Sequence, residues 1–326
     1  IILKEIQGKT LYLQAGEATP INVSLPMTSL LKMHNYYGAH FPFWVAHVKD
    51  NYLTNYVSLE GMRKLAFFFL DKQKKDVKFI EFIEKTWKKS YQPMQKTVSL
   101  LQSLDFSKLS EQELLSHLQT LSQQGAEQWC PLIFIDAFDA EGSQFLDVEI
   151  KKYAPALLSE IGVLTTPSAM SYSQREKLAF LTLANTLLKK KEKNIVLQVT
   201  KVSELSASLQ KLFHAHEQQF YWSKNNYAHI HYLDADFFLK ELQKLLSISS
   251  ENNIAKEIDH IETSFAAQIK KRDAFLQDAP AQVQNICIFF QKLTVLRDIR
   301  KEKQCILILW VKLLSQALAK KIACDP

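Results

Sequence analysis

Glycine is scarce in this chain, with 7 residues in 326, against an average usage of about 7%. Glycine supplies the positive backbone angles of tight hairpins and lets backbone approach a bound phosphate closely. A chain so poor in it is steered away from glycine-rich nucleotide loops, hairpin-rich sheets and a doubly wound sheet. What dominates instead is Leu, Lys, Gln, Glu and Ala, all good helix formers. Three of the glycines and three of the prolines fall within residues 1–50: Gly8, Gly16, Gly38, Pro20, Pro26 and Pro42. The expected fold is therefore all-α, an irregular multi-helix bundle, with a short extended or small β segment at the N-terminus. Residues 1–50 form an extended, strand-containing segment and residues 51–326 a helical domain.

Apolar residues at helical spacing place the helices. One starts at Ser58 or Leu59 and carries Met62, Leu65, Ala66 and Phe69. Asp76 to about Ser103 reads as a longer one, with Pro93 as a kink or a division. Ser110 and Glu113 form a capping box that opens a helix reaching about Asp139, broken or bent at Pro131. Gln144 to Ile161 follows a turn at Gly142, is interrupted near Pro155, and has Gly162 as its stop. Ser173 and Glu176 make a second capping box, opening a helix to about Lys191. Helices over Ser203–Ser223, from Asp234 or Asp236 to Leu246, and over Ser249–Gln277 come next. Ala281 to about Cys324 is one very long helix or two.

The net charge of +6 is a mild excess, spread over 40 basic and 34 acidic residues, with a pI near 8.9. The lysine runs at Lys72, Lys189 and Lys270 read as solvated helix faces. A nucleic-acid module shows a higher pI and a recognisable motif, so nucleic acid is not an expected partner. Cys130, Cys287, Cys305 and Cys324 are widely spaced, as reduced thiols of a cytoplasmic protein are. The best apolar run, Cys305 to Val311, is too short to cross a bilayer, so no membrane partner is expected. The chain opens at Ile1 without a methionine and stops just past a helical pattern, which reads as a fragment.

Phe213 to Tyr227 is the densest packet of aromatics, histidines and amides. His214 and His216, two apart on a helix, point to different faces and do not share a metal. His214 faces either a ligand or a hydrogen-bonded place in the core. Tyr221, Trp222 and Tyr227 are either walls of an apolar pocket or core packing at a helix end. Asn225 and Asn226 either cap that helix or orient a ligand. His229 and His231 share a face of an extended segment near Asp234 and Asp236, but no third histidine completes a zinc site. Arg175, unfavourable in a first helical turn, calls for a partner carboxylate or a bound anion. Arg297, Arg300, Lys301 and Lys303 are spaced along a helix either to meet acidic surface on a neighbouring domain or to be solvated. No metal ligand and no catalytic residue emerges.

Leu164-Thr165-Thr166-Pro167 followed by Ser173, Arg175 and Glu176 resembles a segment of phosphoenolpyruvate-utilising phosphotransferases, the phosphoenolpyruvate-synthase-like and rifampin-phosphotransferase-like proteins. His214, Tyr221, Trp222, Asn225, Asn226 and Tyr227 resemble a second segment in the helical region of the same proteins. Leu296 to Arg300 falls where that region carries a basic helix. The likeness covers residues 140–326. It implies a helical substrate-binding or domain-bridging part of an ATP-dependent phosphotransferase. The implied partners are flanking ATP-grasp and phosphohistidine domains, with a small-molecule acceptor. ATP and Mg belong to the parent enzyme, and no cofactor to this chain, which carries neither a glycine-rich nucleotide segment nor a phosphohistidine motif. The implied ligand-binding residues are His214, Tyr221, Trp222, Asn225, Asn226, Tyr227 and Arg175. Low glycine and mixed-charge helices equally suit a stand-alone helical protein-binding scaffold or adaptor.

Overall fold

The computed structural model describes residues 10–17, 27–50, 52–141, 144–226 and 229–323. Gly8, Pro20, Pro26, the turn at Gly142, Tyr227 and Cys324 lie outside the described residues. The fold is all-α with one small antiparallel sheet near the N-terminus. Its strands are β1 (Leu11–Glu17), β2 (Trp44–Lys49) and β3 (Tyr52–Ser58), in the order β1-β3-β2. Tyr12 pairs with Val57 and Trp44 pairs with the same Val57 from the other side. The chain turns from β2 toward β3 at Asp50, whose positive φ of 50° is one that aspartate tolerates. Position 50 thus lies inside the sheet, which runs on through the alternating text of residues 52–58. Ser58 ends β3 and is also the N-cap of α1 (Leu59–Lys75), its hydroxyl accepting from Gly61 N at 3.1 Å. Sheet and helices are joined without a linker.

Pro93 does not divide α2 (Phe79–Gln102), which runs through it. The capping box at Ser110 and Glu113 opens α3 (Glu111–Trp129) with both reciprocal bonds made. Pro131 ends α3 in a 3-10 turn, and the expected single helix resumes as a separate α4 (Ile135–Glu141). α5 (Gln144–Tyr153) stops before Pro155, and Gly162 is not the stop but lies inside a short helix, Ile161–Leu164. α6 (Tyr172–Lys189) is opened by Ser171 and Gln174 rather than by Ser173 and Glu176. Both pairs have the capping-box spacing. The Asp298 carboxylate accepts from Tyr172 N at 2.7 Å and so settles which turn is first. α7 (Ala207–Phe220), α8 (Ala235–Ile248), α9 (Glu251–Gln277) and α10 (Ala281–Lys321) complete the chain.

At 41 residues α10 is a single helix about 60 Å long. Its first half packs with α1, α2 and α4 through Val283, Phe289 and Leu293. Its second half packs with α2, α3 and the aromatic residues after α7, through Leu307, Trp310 and Leu314. A third core, of Leu187, Phe213, Phe238 and Leu242, joins α6, α7 and α8. Every residue from Gln304 to Val311 is buried, so the apolar run is a core helix segment with neighbours on all sides. Among the described residues no helix is long and apolar enough to cross a membrane.

α3 approaches α10 closely at Gly125. A Cβ there would stand 2.5 Å and 2.7 Å from the two terminal carbons of Leu307, a side chain with no exposed surface. Gly125→Ala gains about 1 kcal/mol of helix propensity but overpacks this contact, which costs about 1–3 kcal/mol. The expected outcome is a lower denaturant midpoint with an unchanged slope. A stabilised variant would show that the two helices part freely.

Candidate functional site

The aromatic stretch lies where two cores meet. Phe213 and His216 belong to the α6–α7–α8 side, and Tyr221 and Trp222 to the α10 side. Tyr221 and Trp222 are each 3% exposed, so they are enclosed by protein. Trp310 Nε1 donates to the Tyr221 hydroxyl at 3.1 Å, and the Trp222 ring lies 5.4 Å from that of Tyr172. Burial raises the Tyr221 phenol above its ordinary range. Asn225 Oδ1 accepts from His231 N and Asn226 Oδ1 from His229 N, both at 2.7 Å. The two amides therefore fold the returning chain back, and Leu233 N closes it by donating to Tyr221 O at 2.9 Å. Tyr227 lies outside the described residues. His214 is exposed and contacts Glu217 at 2.9 Å. Arg175 finds its carboxylates in Glu302 at 2.9 Å and Asp298 at 3.9 Å.

Three segments remote in sequence are gathered on α10. The Leu164–Thr166 loop is tied by Gln291 Nε2, which donates to Leu164 O at 2.7 Å. Buried Arg272 of α9 donates to Thr166 O at 2.8 Å. The start of α6 is held by Asp298, and Arg175 reaches Glu302 one turn on. The end of the aromatic stretch is held by Cys305 Sγ, 3.3 Å from Asn225 O, and by Trp310.

The other face of α10 borders a cleft of about 360 Å³ under the N-terminal sheet. Arg297 and Arg300 do not reach out to a neighbouring domain. Arg297 Nη2 meets Asp139 and Arg300 Nη2 meets Asp136, each at 2.5 Å. The matching i,i+3 spacing of opposite charges on two apolar helices is the sequence signal for this ladder. Arg300 is 8% exposed and also donates to Leu132 O at 3.0 Å, so its fork is fully directed. Burial pushes the Asp139 carboxyl up, against the opposing pull of Arg297. Lys303 pairs instead with its neighbour Glu302. Across the cleft Trp44 Nε1 donates to Asn55 Oδ1 at 2.9 Å, fixing an aromatic wall.

Chemical options are narrow. Burial pushes the Cys130 and Cys305 thiols up to about 11 and Cys287 up to about 12. They stay protonated at neutral pH, and the thiolate is the nucleophile. Among the described residues no group of three or more His, Cys, Asp or Glu side chains is placed to hold a metal ion. His229 Nε2 instead lies 3.6 Å from Glu17 of β1. No family model, no curated protein and no solved structure matches the chain.

His216 is 6% exposed among Phe180, Phe220 and Phe238, and its Nε2 has no partner among the described residues. Burial pushes its imidazole down to about 4. The unfolded chain takes up this proton below about pH 6.5, before the folded chain does. Stability is therefore full above that pH and falls between it and about 4, by about 3 kcal/mol at most. His216→Phe removes this contribution. Denaturant unfolding at neutral pH and again near the lower limit measures it, and parallel pH profiles for parent and variant would refute it.

Proposed function

We propose that this chain is the helical substrate-binding or domain-bridging part of an ATP-dependent, phosphoenolpyruvate-synthase-like phosphotransferase. The observation that supports it is the convergence on α10. The Leu164–Arg175, His214–Asn226 and Leu296–Arg300 segments, which carry the resemblance, meet as one hydrogen-bonded unit. In this reading buried Tyr221 and Trp222 set the frame. His214, Asn226 and Arg175 are exposed on its outer side, where an acceptor or a flanking domain would meet them. ATP and Mg are held by the ATP-grasp domain, and the phosphate travels on the phosphohistidine domain. This chain supplies surface and alignment rather than a reacting group.

A second reading, a stand-alone protein-binding scaffold, draws on α9. Of its 27 residues Ile254 and Arg272 are the buried ones, so a long helix offers most of its surface. The two readings part on one measurement. The first expects the parent reading frame to encode an ATP-grasp segment on one side of this chain and a phosphohistidine segment on the other. It also expects no phosphoryl transfer from ATP by the purified chain alone. A reading frame with neither segment, or turnover by the chain unaided, sinks it, and the former outcome leaves the scaffold standing.

A further inference from the structure

The geometry points to the cleft beneath the sheet as a binding site for a small molecule with a flat apolar body and one anionic group. This inference is independent of the phosphotransferase reading, since it uses a different face of α10. The volume, about 360 Å³, falls in the range of roughly 300–1,000 Å³ usual for ligand sites. One wall is a single face of the sheet. Tyr12, Gln14 and Gly16 of β1 stand opposite Val57, Asn55 and Leu53 of β3, and all six border the cleft. Trp44 of β2 continues that wall, paired with Val57. At Gly16 the space a side chain would take is open, with nothing within 4 Å.

The opposite wall is charged. The pairs Arg297–Asp139 and Arg300–Asp136 cancel one another. Lys301, the next residue along, lines the same cleft, is exposed, and makes no ion pair with a described residue. The acidic member of the sheet side, Glu17, is 65% exposed at the rim and lies beside His229. A cation or a neutral apolar guest leaves Lys301 without an ion pair. An anionic group at the Lys301 end gives that ammonium a partner inside the cleft. The flat body then lies along the sheet face, where aromatic and apolar side chains cover it. Carboxylate, phosphate and sulfonate share this chemistry.

The test uses the full chain and three compounds: 1-anilinonaphthalene-8-sulfonate, its uncharged relative N-phenyl-1-naphthylamine, and inorganic phosphate. The sulfonate is expected to bind at one site per chain, tighter than the uncharged dye. Inorganic phosphate, lacking the flat body, is expected to compete weakly. Lys301→Met should weaken the sulfonate about tenfold and leave the uncharged dye unchanged. Gly16→Trp should weaken both about tenfold, because the new side chain fills the open space. Amide shifts in the unaltered chain give a measurement that does not rely on either variant folding. Addition of the sulfonate should move signals of β1, β3 and residues 297–304. No sulfonate binding, shifts confined elsewhere, or equal affinity for the two dyes with no effect of Lys301→Met would overturn the proposal.

Discussion

A helix buried on every side can exist only if other elements surround it, and α10 is that helix. Between Gln304 and Val311 it has no solvent face. The second half of α2, α3 and the aromatic turn after α7 must all be present for it to be covered. Its earlier half imposes the same demand on α1 and α4. At roughly 25 cal/mol per Å² of apolar surface, no hydrogen bond in the structure competes with this burial as a source of stability. The bonds instead decide which arrangement of neighbours is the native one.

They do so by a repeated device. Gln291 donates to Leu164 O, Asp298 accepts from Tyr172 N, and Arg300 donates to Leu132 O. Cys305 approaches Asn225 O, and Lys312 Nζ donates to Ile230 O at 2.8 Å. Along one helix, side chain after side chain meets the main chain of a loop or helix start. Irregular backbone that is buried needs partners, and in this chain few turns are closed by glycine. Among the described glycines only Gly38 has a positive φ. The turns are made with 3-10 segments, Asn225 and Asn226, and serine caps. The side chains of α10 supply the bonds that a glycine-based turn would find within itself.

This explains what the sequence could and could not reveal. The helix start at Ser110 was readable from its local cap, and those at Ser58 and Asp234 to within the pairs Ser58/Leu59 and Asp234/Asp236. The start of α6 was misread by two residues. Two candidate boxes overlap there, and the choice rests on Asp298, far away in sequence. Gly162 misled for a related reason, since its segment is held by the tethers of Gln291 and Arg272 and not by a left-handed cap. The strand text of residues 52–58 was hidden because β3 passes directly into α1 at a single serine. The length of α10 was legible as a pattern, but its continuity depended on burial from all sides.

The functional site poses the same difficulty in sharper form. Aromatic density drew attention to Tyr221 and Trp222, yet aromatic density is what a junction between cores requires as much as what a pocket requires. Both rings are enclosed, and the amides beside them serve the backbone. The cleft announces itself in the sequence only through charge spacing, with Asp136 and Asp139 on one apolar helix and Arg297 and Arg300 on another. Two such pairs are poor stabilisers in themselves, because three of their four side chains are 35% or more exposed and solvent screens them. Their effect is geometric. They hold α4 against α10 at one register, keep the wall facing the sheet polar, and leave Lys301 beside them without an ion pair among the described residues.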